Sequence, residues 1–241
     1  MSQRNHSKPG RLELGAILFP GMDQADFTGP FAVLSRLPNS RFHILATTLA
    51  PVRDARGLVL KPDKRFSETP SLDLLLVPGG PGVNAVMQDA QTLAFIRCQA
   101  KGAKFVLSVC TGALACGAAG LLNGRKATTH WASHHLLRCF GALPVNARVV
   151  VDGKLVSTAG VTAGIDGALR VAALLRGKRV AQQLQLFLQY APEPPFNSGT
   201  PEPAPPPVLT AGRDSLRTVL KERENIIKHI TIGNAPRIAG R

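Results

Sequence analysis

The run KFVLSV at residues 104–109 leads without a break into Cys110, and TGALACGAAGLL follows at 111–122. A short, almost wholly apolar run that ends at small residues reads as a strand covered on both faces. The small-residue stretch behind it suits a helix, so the two form a strand, a sharp turn and a helix. A strand covered on both faces needs helices above and below it. That requirement commits the chain to an α/β layered fold with a mostly parallel sheet.

The remaining sequence repeats this alternation. Residues 14–19 (LGAILF) read as a first buried strand, and the turn PGMDQAD delivers the chain to a helix around 27–37. FHILATT (42–48) is a second strand. GLVLKP (57–62) is a shorter one near an edge, because Pro62 cannot donate to a ladder. LDLLLVPGGPG (72–82) is a buried strand entering a glycine-rich turn. Helices are expected over 91–101, 131–139, 163–176 and 179–190, with Gly177 as a stop. RVVVDGKLVSTAG (148–160) reads as a hairpin turned by Asp152-Gly153. Composition then changes sharply: APEPPFNSGTPEPAPPP (191–207) is expected to be an extended strap and not a helix. The organisation expected is an N-terminal extension (1–11), one α/β domain (12–190), a proline-rich strap (191–212), and a basic helix and tail (213–241), with the helix over 213–229.

A chain of 241 residues, 44% of them hydrophobic, can bury one large core without staples. Its four cysteines (Cys98, Cys110, Cys116, Cys139) are too scattered for a disulfide framework or a metal site, and reduced thiols fit the cytoplasm. The first residues are basic but lack the apolar core of a signal peptide, and no stretch reaches the roughly 20 apolar residues of a membrane span. The net charge of +14 invites a nucleic-acid partner. Lys and Arg are nevertheless dispersed, and one Trp and one Tyr make few stacking platforms, so a solvated basic surface is the reading taken.

In open α/β sheets, ligands bind beyond the carboxyl ends of the strands. Three features fall there: Asp26, Gly79-Gly80 and Cys110. Cys110 lies between small residues (Ser108, Gly112, Ala113) on a sharp strand-to-helix turn. The helix N-terminus behind it would favour a thiolate. Cys98, Cys116 and Cys139 read as small buried hydrophobes inside helices. The N–H groups of Gly79, Gly80 and Thr111 could hold developing negative charge. Asp26 reads locally as the N-cap of its helix, or as a general acid or base. His130 stands at a helix start or approaches the site, and His134 and His135 lie on a helix surface. GGPG at 79–82 matches neither a phosphate loop nor a dinucleotide loop, so no cofactor is implied.

The segments ILFPGMDQADFTGPFAVL (17–34), LLLVPGGPGV (74–83) and FVLSVCTGALACGAAGLLNGRKATTHWA (105–132) resemble the ThiJ/PfpI branch of the type 1 glutamine amidotransferase-like superfamily. GVTAGIDGAL (160–169) and VAQQLQLFLQYAPEPPFNSGTPE (180–202) extend the likeness. The Q-x-D-x-TGP turn, VCTG and the YAP-x-PPF strap together are similar to the isonitrile hydratase group within that branch. The resemblance implies a flavodoxin-like three-layer sandwich with a cysteine nucleophile elbow, commonly homodimeric, without metal or organic cofactor. It implies a hydro-lyase reaction, hydration of a small isonitrile to an N-substituted formamide. Cys110 then matches the nucleophile, Asp26 its acidic partner and Thr111 the residue that orders the site. Gly79 and Gly80 match the turn facing the sulfur, and Val161 and His130 fall on the substrate side. Ser157-Thr158-Ala159-Gly160 stands where a glycine-rich stretch is expected, which would narrow or reshape the pocket.

Two other readings stay open on sequence. AraC-type transcription regulators carry similar sensing domains ahead of two helix-turn-helix units, for which the roughly 35 residues after the strap are too few. Other activities of the superfamily, such as an aldehyde hydratase, deglycase or peptidase, form the second; Thr111 stands where the peptidase branch has histidine.

Overall fold

The computed structural model describes residues 10–233. Most of the expected N-terminal extension and the final residues 234–241 lie outside that range. The chain starts with β1 (Leu12–Ile17), α1 (Gln24–Leu34) and β2 (Ser40–Ala46), then three two-residue strands, β3 (Val52–Arg53), β4 (Val59–Leu60) and β5 (Lys64–Arg65). There follow β6 (Leu74–Val77), α2 (Val83–Val86), α3 (Ala90–Gly102), β7 (Phe105–Val109) and α4 (Gly112–Ala118). The second half holds β8 (Lys126–Ala127), a 3-10 segment (Trp131–Phe140), β9 (Leu143–Pro144), β10 (Val149–Asp152) and β11 (Leu155–Thr158). The last helices are α5 (Ala163–Arg176), α6 (Lys178–Phe187) and α7 (Pro206–Gly233).

The main sheet runs β10-β11-β7-β6-β1-β2-β5. All its pairs are parallel except the β10–β11 hairpin, whose turn at Asp152-Gly153 has Gly153 at φ +59°. All four residues of β6 are fully buried, as a strand covered on both faces must be. Helices α1, α5 and α6 pack together, with α5 on β7 and β11, while α3 and α4 pack on β6 and β7. The result is an α/β three-layer sandwich, as the alternation of apolar runs required. Because β2 and β6 flank β1 on opposite sides, the crevice lies beyond the ends of β1 and β6, with β7 next in line.

Several elements depart from the sequence reading. The first two strands each start two residues earlier than expected. The 57–62 strand is not at the edge of the main sheet: Val59–Leu60 pairs antiparallel with Val52–Arg53 in a separate ribbon. The 131–139 segment is 3-10 rather than α-helical. The last helix starts at Pro206, inside the stretch read as strap. Prolines are tolerated in a first turn, where their missing N–H groups would have had no partner anyway.

The Ser157–Gly160 stretch is placed so that only part of it meets the pocket. Thr158 is fully buried and its methyl packs on α5; Ala159 lines the cavity described below. A Cβ added to Gly167 would lie 2.3 Å from Thr158 Cγ2, so the two residues are complementary in size. Gly167→Ala is therefore expected to destabilise by about 1–3 kcal/mol from overpacking. The same change in a Thr158→Ser background, which lacks that methyl, should cost much less. Urea unfolding of the four proteins checks this, and strict additivity would contradict it.

Candidate active site

Cys110 follows β7 at φ +54°, a left-handed conformation disfavoured for any residue with a Cβ. Gly112 makes this turn possible, since a Cβ there would lie 2.1 Å from the Val77 carbonyl oxygen. The opposite turn has the same need: a Cβ on Gly79 would lie 2.5 Å from Thr111 N and 2.8 Å from Asp26 Oδ2. Gly80 sits at φ +116°, where only glycine is at ease. The turns after β6 and β7 thus interlock through residues without side chains.

That contact brings five of the expected residues together. Gly79 N–H donates to Asp26 Oδ2 (2.8 Å). Gly80 N–H donates to Thr111 Oγ1 (2.9 Å), whose hydroxyl in turn donates to Gly80 O (3.2 Å). Two of the three N–H groups expected to cradle negative charge, those of Gly79 and Gly80, are therefore engaged in holding Asp26 and Thr111, whereas the Thr111 N–H acts on the Cys110 sulfur. Asp26 is not the helix cap that local sequence favoured. Asp23 is, accepting from Ala25 N (2.9 Å), and Asp26 turns inward in the first turn with no exposed surface.

Burial pushes the Asp26 carboxyl up to about 7, and the charge of Asp23 adds to this, against the Gly79 N–H and the Cys110 thiol. Its Oδ1 is buried without a hydrogen-bond partner, a cost that protonation relieves. Cys110 retains 6% of its surface. Burial and the neighbouring Asp26 push its thiol well up, outweighing the Thr111 N–H and the positive charge of Arg223. The thiolate-favouring helix terminus anticipated from sequence is thus overruled by desolvation and a carboxylate.

His130 and Val161 do not join this cluster. They line an adjoining cavity of about 610 Å³, together with Thr129, Trp131, Arg148 and Ala159. Thr129 connects the two, lining the cavity while its hydroxyl donates to the Cys110 carbonyl (2.6 Å). His130 caps the 3-10 segment, accepting from Ala132 N (3.4 Å), and burial pushes its imidazole down, with Arg223 adding to this. His134, expected on a helix surface, also faces the cavity, whereas His135 is exposed. The strap forms part of the rim through Gly199, Thr200, Pro201 and Glu202. Its entry is fixed where Asp166 takes Arg148 Nε (2.6 Å) and the Tyr190 hydroxyl (3.2 Å). Among the described residues no group of His, Cys, Asp and Glu is arranged to hold a metal ion.

Two placements escaped the sequence reading. Cys98 and Cys139 are exposed rather than buried; only Cys116, of the three helical thiols, is a core residue. Arg223 of α7 is buried beside the elbow, its Nη2 3.5 Å from Gly80 O. A signal for it existed, because 223 shares a helix face with the packed residues Ile226, Ile227 and Ile230.

With the fold and elbow in view, the chain is placed by its relatives: residues 16–174 match the DJ-1/PfpI family, and the chain belongs to it. It is 51% identical to the isonitrile hydratase of Pseudomonas putida over 89% of this chain and 94% of that protein. A crystal structure of a ThiJ/PfpI family protein from Pseudomonas syringae superposes with a TM-score of 0.88 at 38% identity, covering 94% of this chain and 99% of the other. The HTH-type transcriptional regulator GbdR of Pseudomonas aeruginosa is 26% identical over 62% of this chain but only 41% of its own length.

The raised Asp26 has a consequence for stability. An exposed aspartate titrates near 3.8, so between about 4 and 7 the folded chain holds a proton that the unfolded chain has released. The stability due to the neutral carboxyl is complete below about 4 and is lost as pH rises through about 7. Asp26→Asn, neutral throughout, is expected to be more stable than wild type at pH 8 by up to about 4 kcal/mol, with the advantage vanishing towards pH 4. Denaturant titrations at the two pH values measure the difference; equal stability at pH 8 would refute it.

Proposed function

We propose that the protein hydrates isonitriles to N-substituted formamides, a carbon–oxygen lyase reaction, with Cys110 as nucleophile and Asp26 as general acid and base. The observation that carries this is the pairing of a thiol on a strained elbow with a buried carboxyl, held through Oδ2 by Gly79 N–H, whose proton affinity is tuned near neutrality. Half the residues shared with an isonitrile hydratase along nearly its full length support the substrate class.

The chemistry follows from the carbon of R–N≡C, which accepts a nucleophile only if a proton reaches that same carbon. Asp26 takes the thiol proton, the sulfur attacks, and Asp26 returns the proton to the carbon, giving the thioimidate Cys–S–CH=N–R. The carboxylate then draws a proton from water as its oxygen adds to the carbon and passes that proton to the nitrogen, giving Cys–S–CH(OH)–NH–R. Collapse of that adduct expels the sulfur, reprotonated through Asp26, and releases R–NH–CHO. A group that gives and takes one proton per half-reaction works best near its own pKa, which burial sets close to 7. Thr111 and the glycine turn hold the two reacting side chains in register. His130 and Val161, on the wall of the adjoining cavity, face the R group. This chemistry calls for no metal or organic cofactor.

No helix among the described residues is long and apolar enough to cross a membrane. We place the protein in the cytoplasm on its four free thiols, and as a homodimer on the family resemblance. Leu186, Phe187 and Phe196 are strongly exposed apolar side chains that a second copy would cover.

Purified protein given a simple alkyl or aryl isocyanide is expected to form the formamide, followed by chromatography. Cys110→Ala should reduce turnover to background, and Asp26→Asn should lower it by about 10²-fold or more, the scale of general acid–base catalysis. Formamide formation equal in wild type and Cys110→Ala would overturn the proposal, as would methylglyoxal turnover exceeding that of every isocyanide tried.

A further inference from the structure

Arg223 is 4% exposed, and burying a guanidinium is costly unless an anion meets it. Its three acceptors are all neutral. Nε donates to Asn84 Oδ1 (2.8 Å), Nη1 to Ser133 Oγ (2.9 Å) and Nη2 reaches Gly80 O (3.5 Å). None of the ion pairs among the described residues includes it. The carboxylate next in sequence, Glu222, is instead turned to Asn84 Nδ2 (3.0 Å). These contacts converge on the elbow. Asn84 lies in the helical turn directly after the glycine turn, and Gly80 O is the same carbonyl that receives the Thr111 hydroxyl. The helix α7 therefore delivers a full positive charge, without a carboxylate partner, to the back of the interlocked turns.

We propose that Arg223 is a positioning residue whose fixed charge favours the thiolate form of Cys110, moving the proton that the thiol and the Asp26 carboxylate share onto the carboxyl. The S–H bond breaks, an O–H bond forms, and the pair keeps its single negative charge. This rests on the reading of Cys110 as nucleophile; Arg223 offsets part of the rise that burial and the two aspartates impose on the sulfur. The groups acting on the sulfur are Asp26 and Asp23, which raise its proton affinity, and the Thr111 N–H and Arg223, which lower it. Cys110 and Glu222 act on Arg223 in return, and His130 beside it is kept neutral by burial and by that same charge. Burial and the aspartates leave the thiol the more tightly protonated of the two, and a nearby cation that lowers its proton affinity brings it closer to that of the carboxyl, easing the transfer.

The test is the pH dependence of Cys110 alkylation by iodoacetamide, followed on its own peptide by mass spectrometry, because the exposed Cys98 and Cys139 react as well. Arg223→Met should move the alkylation midpoint up by about one pH unit, which is about a tenfold slower reaction at neutral pH. Arg223→Lys, which keeps the charge, should stay close to wild type. Asn84→Asp, made together with Glu222→Gln so that an amide and not a second carboxylate meets its other oxygen, leaves Arg223 in place but sets a carboxylate against its Nε, and should shift the midpoint upward as Arg223→Met does. Should Arg223→Met fail to fold, this nearly isosteric double variant decides the matter. A folded Arg223→Met or double variant with the wild-type midpoint overturns the proposal, and so does Arg223→Lys shifting as far as Arg223→Met. No isonitrile enters this measurement, so the expected shifts without formamide production would count against the hydratase reading alone.

Discussion

The close approach of two backbone turns, one after β6 and one after β7, is the constraint on which the site depends. Neither tolerates a Cβ at its point of contact, because each would strike the other's main chain. Once the turns are locked, the positions of four polar groups follow. Gly79 N–H orients Asp26, Gly80 N–H orients Thr111, the Thr111 N–H faces the sulfur, and Gly80 O receives Arg223. Backbone groups that would otherwise be unsatisfied in the core become the fixtures that hold the Asp26 and Thr111 side chains. The strain of Cys110 at a positive φ is sustained by this same contact, which leaves the elbow no other conformation.

The electrostatics of the site follow from what is left unpaired. Asp26 has one oxygen without a partner, and Arg223 has no carboxylate. Either group alone would be a costly thing to bury. Both act on the same thiol and in opposite senses, Asp26 raising its proton affinity and Arg223 lowering it. Beside them, burial and the charge of Arg223 push the half-buried His130 imidazole down, against Asp23.

The sheet, the elbow and the hairpin were legible because each rests on a local rule. Apolar runs of strand length, small residues around Cys110 and an Asp-Gly turn need little tertiary information. Asp26 was harder. Two aspartates, Asp23 and Asp26, flank the start of one helix, and which one caps it depends on where the helix begins, a matter settled by packing of Phe27 and Pro30 in the interior. Local preference pointed to Asp26 as the cap; only the family resemblance pointed inward. The exposure of Cys98 and Cys139 depends likewise on helix phase. Arg223 lies in a segment whose charged character masks the isoleucines sharing its face.

The strap carries a different kind of order. It has no regular secondary structure from Leu188 to Pro205, yet proline loses little freedom on being fixed, so such a segment can serve as a rigid border. It is anchored at Tyr190 and at Glu202, which accepts from Asn146 Nδ2 at 3.3 Å. Because none of its backbone belongs to the sheet, Thr200 and Glu202 can be exchanged without disturbing the elbow. Part of the cavity's border and the elbow are thereby carried by separate stretches of polymer, and the first is free to diversify while the second stays fixed.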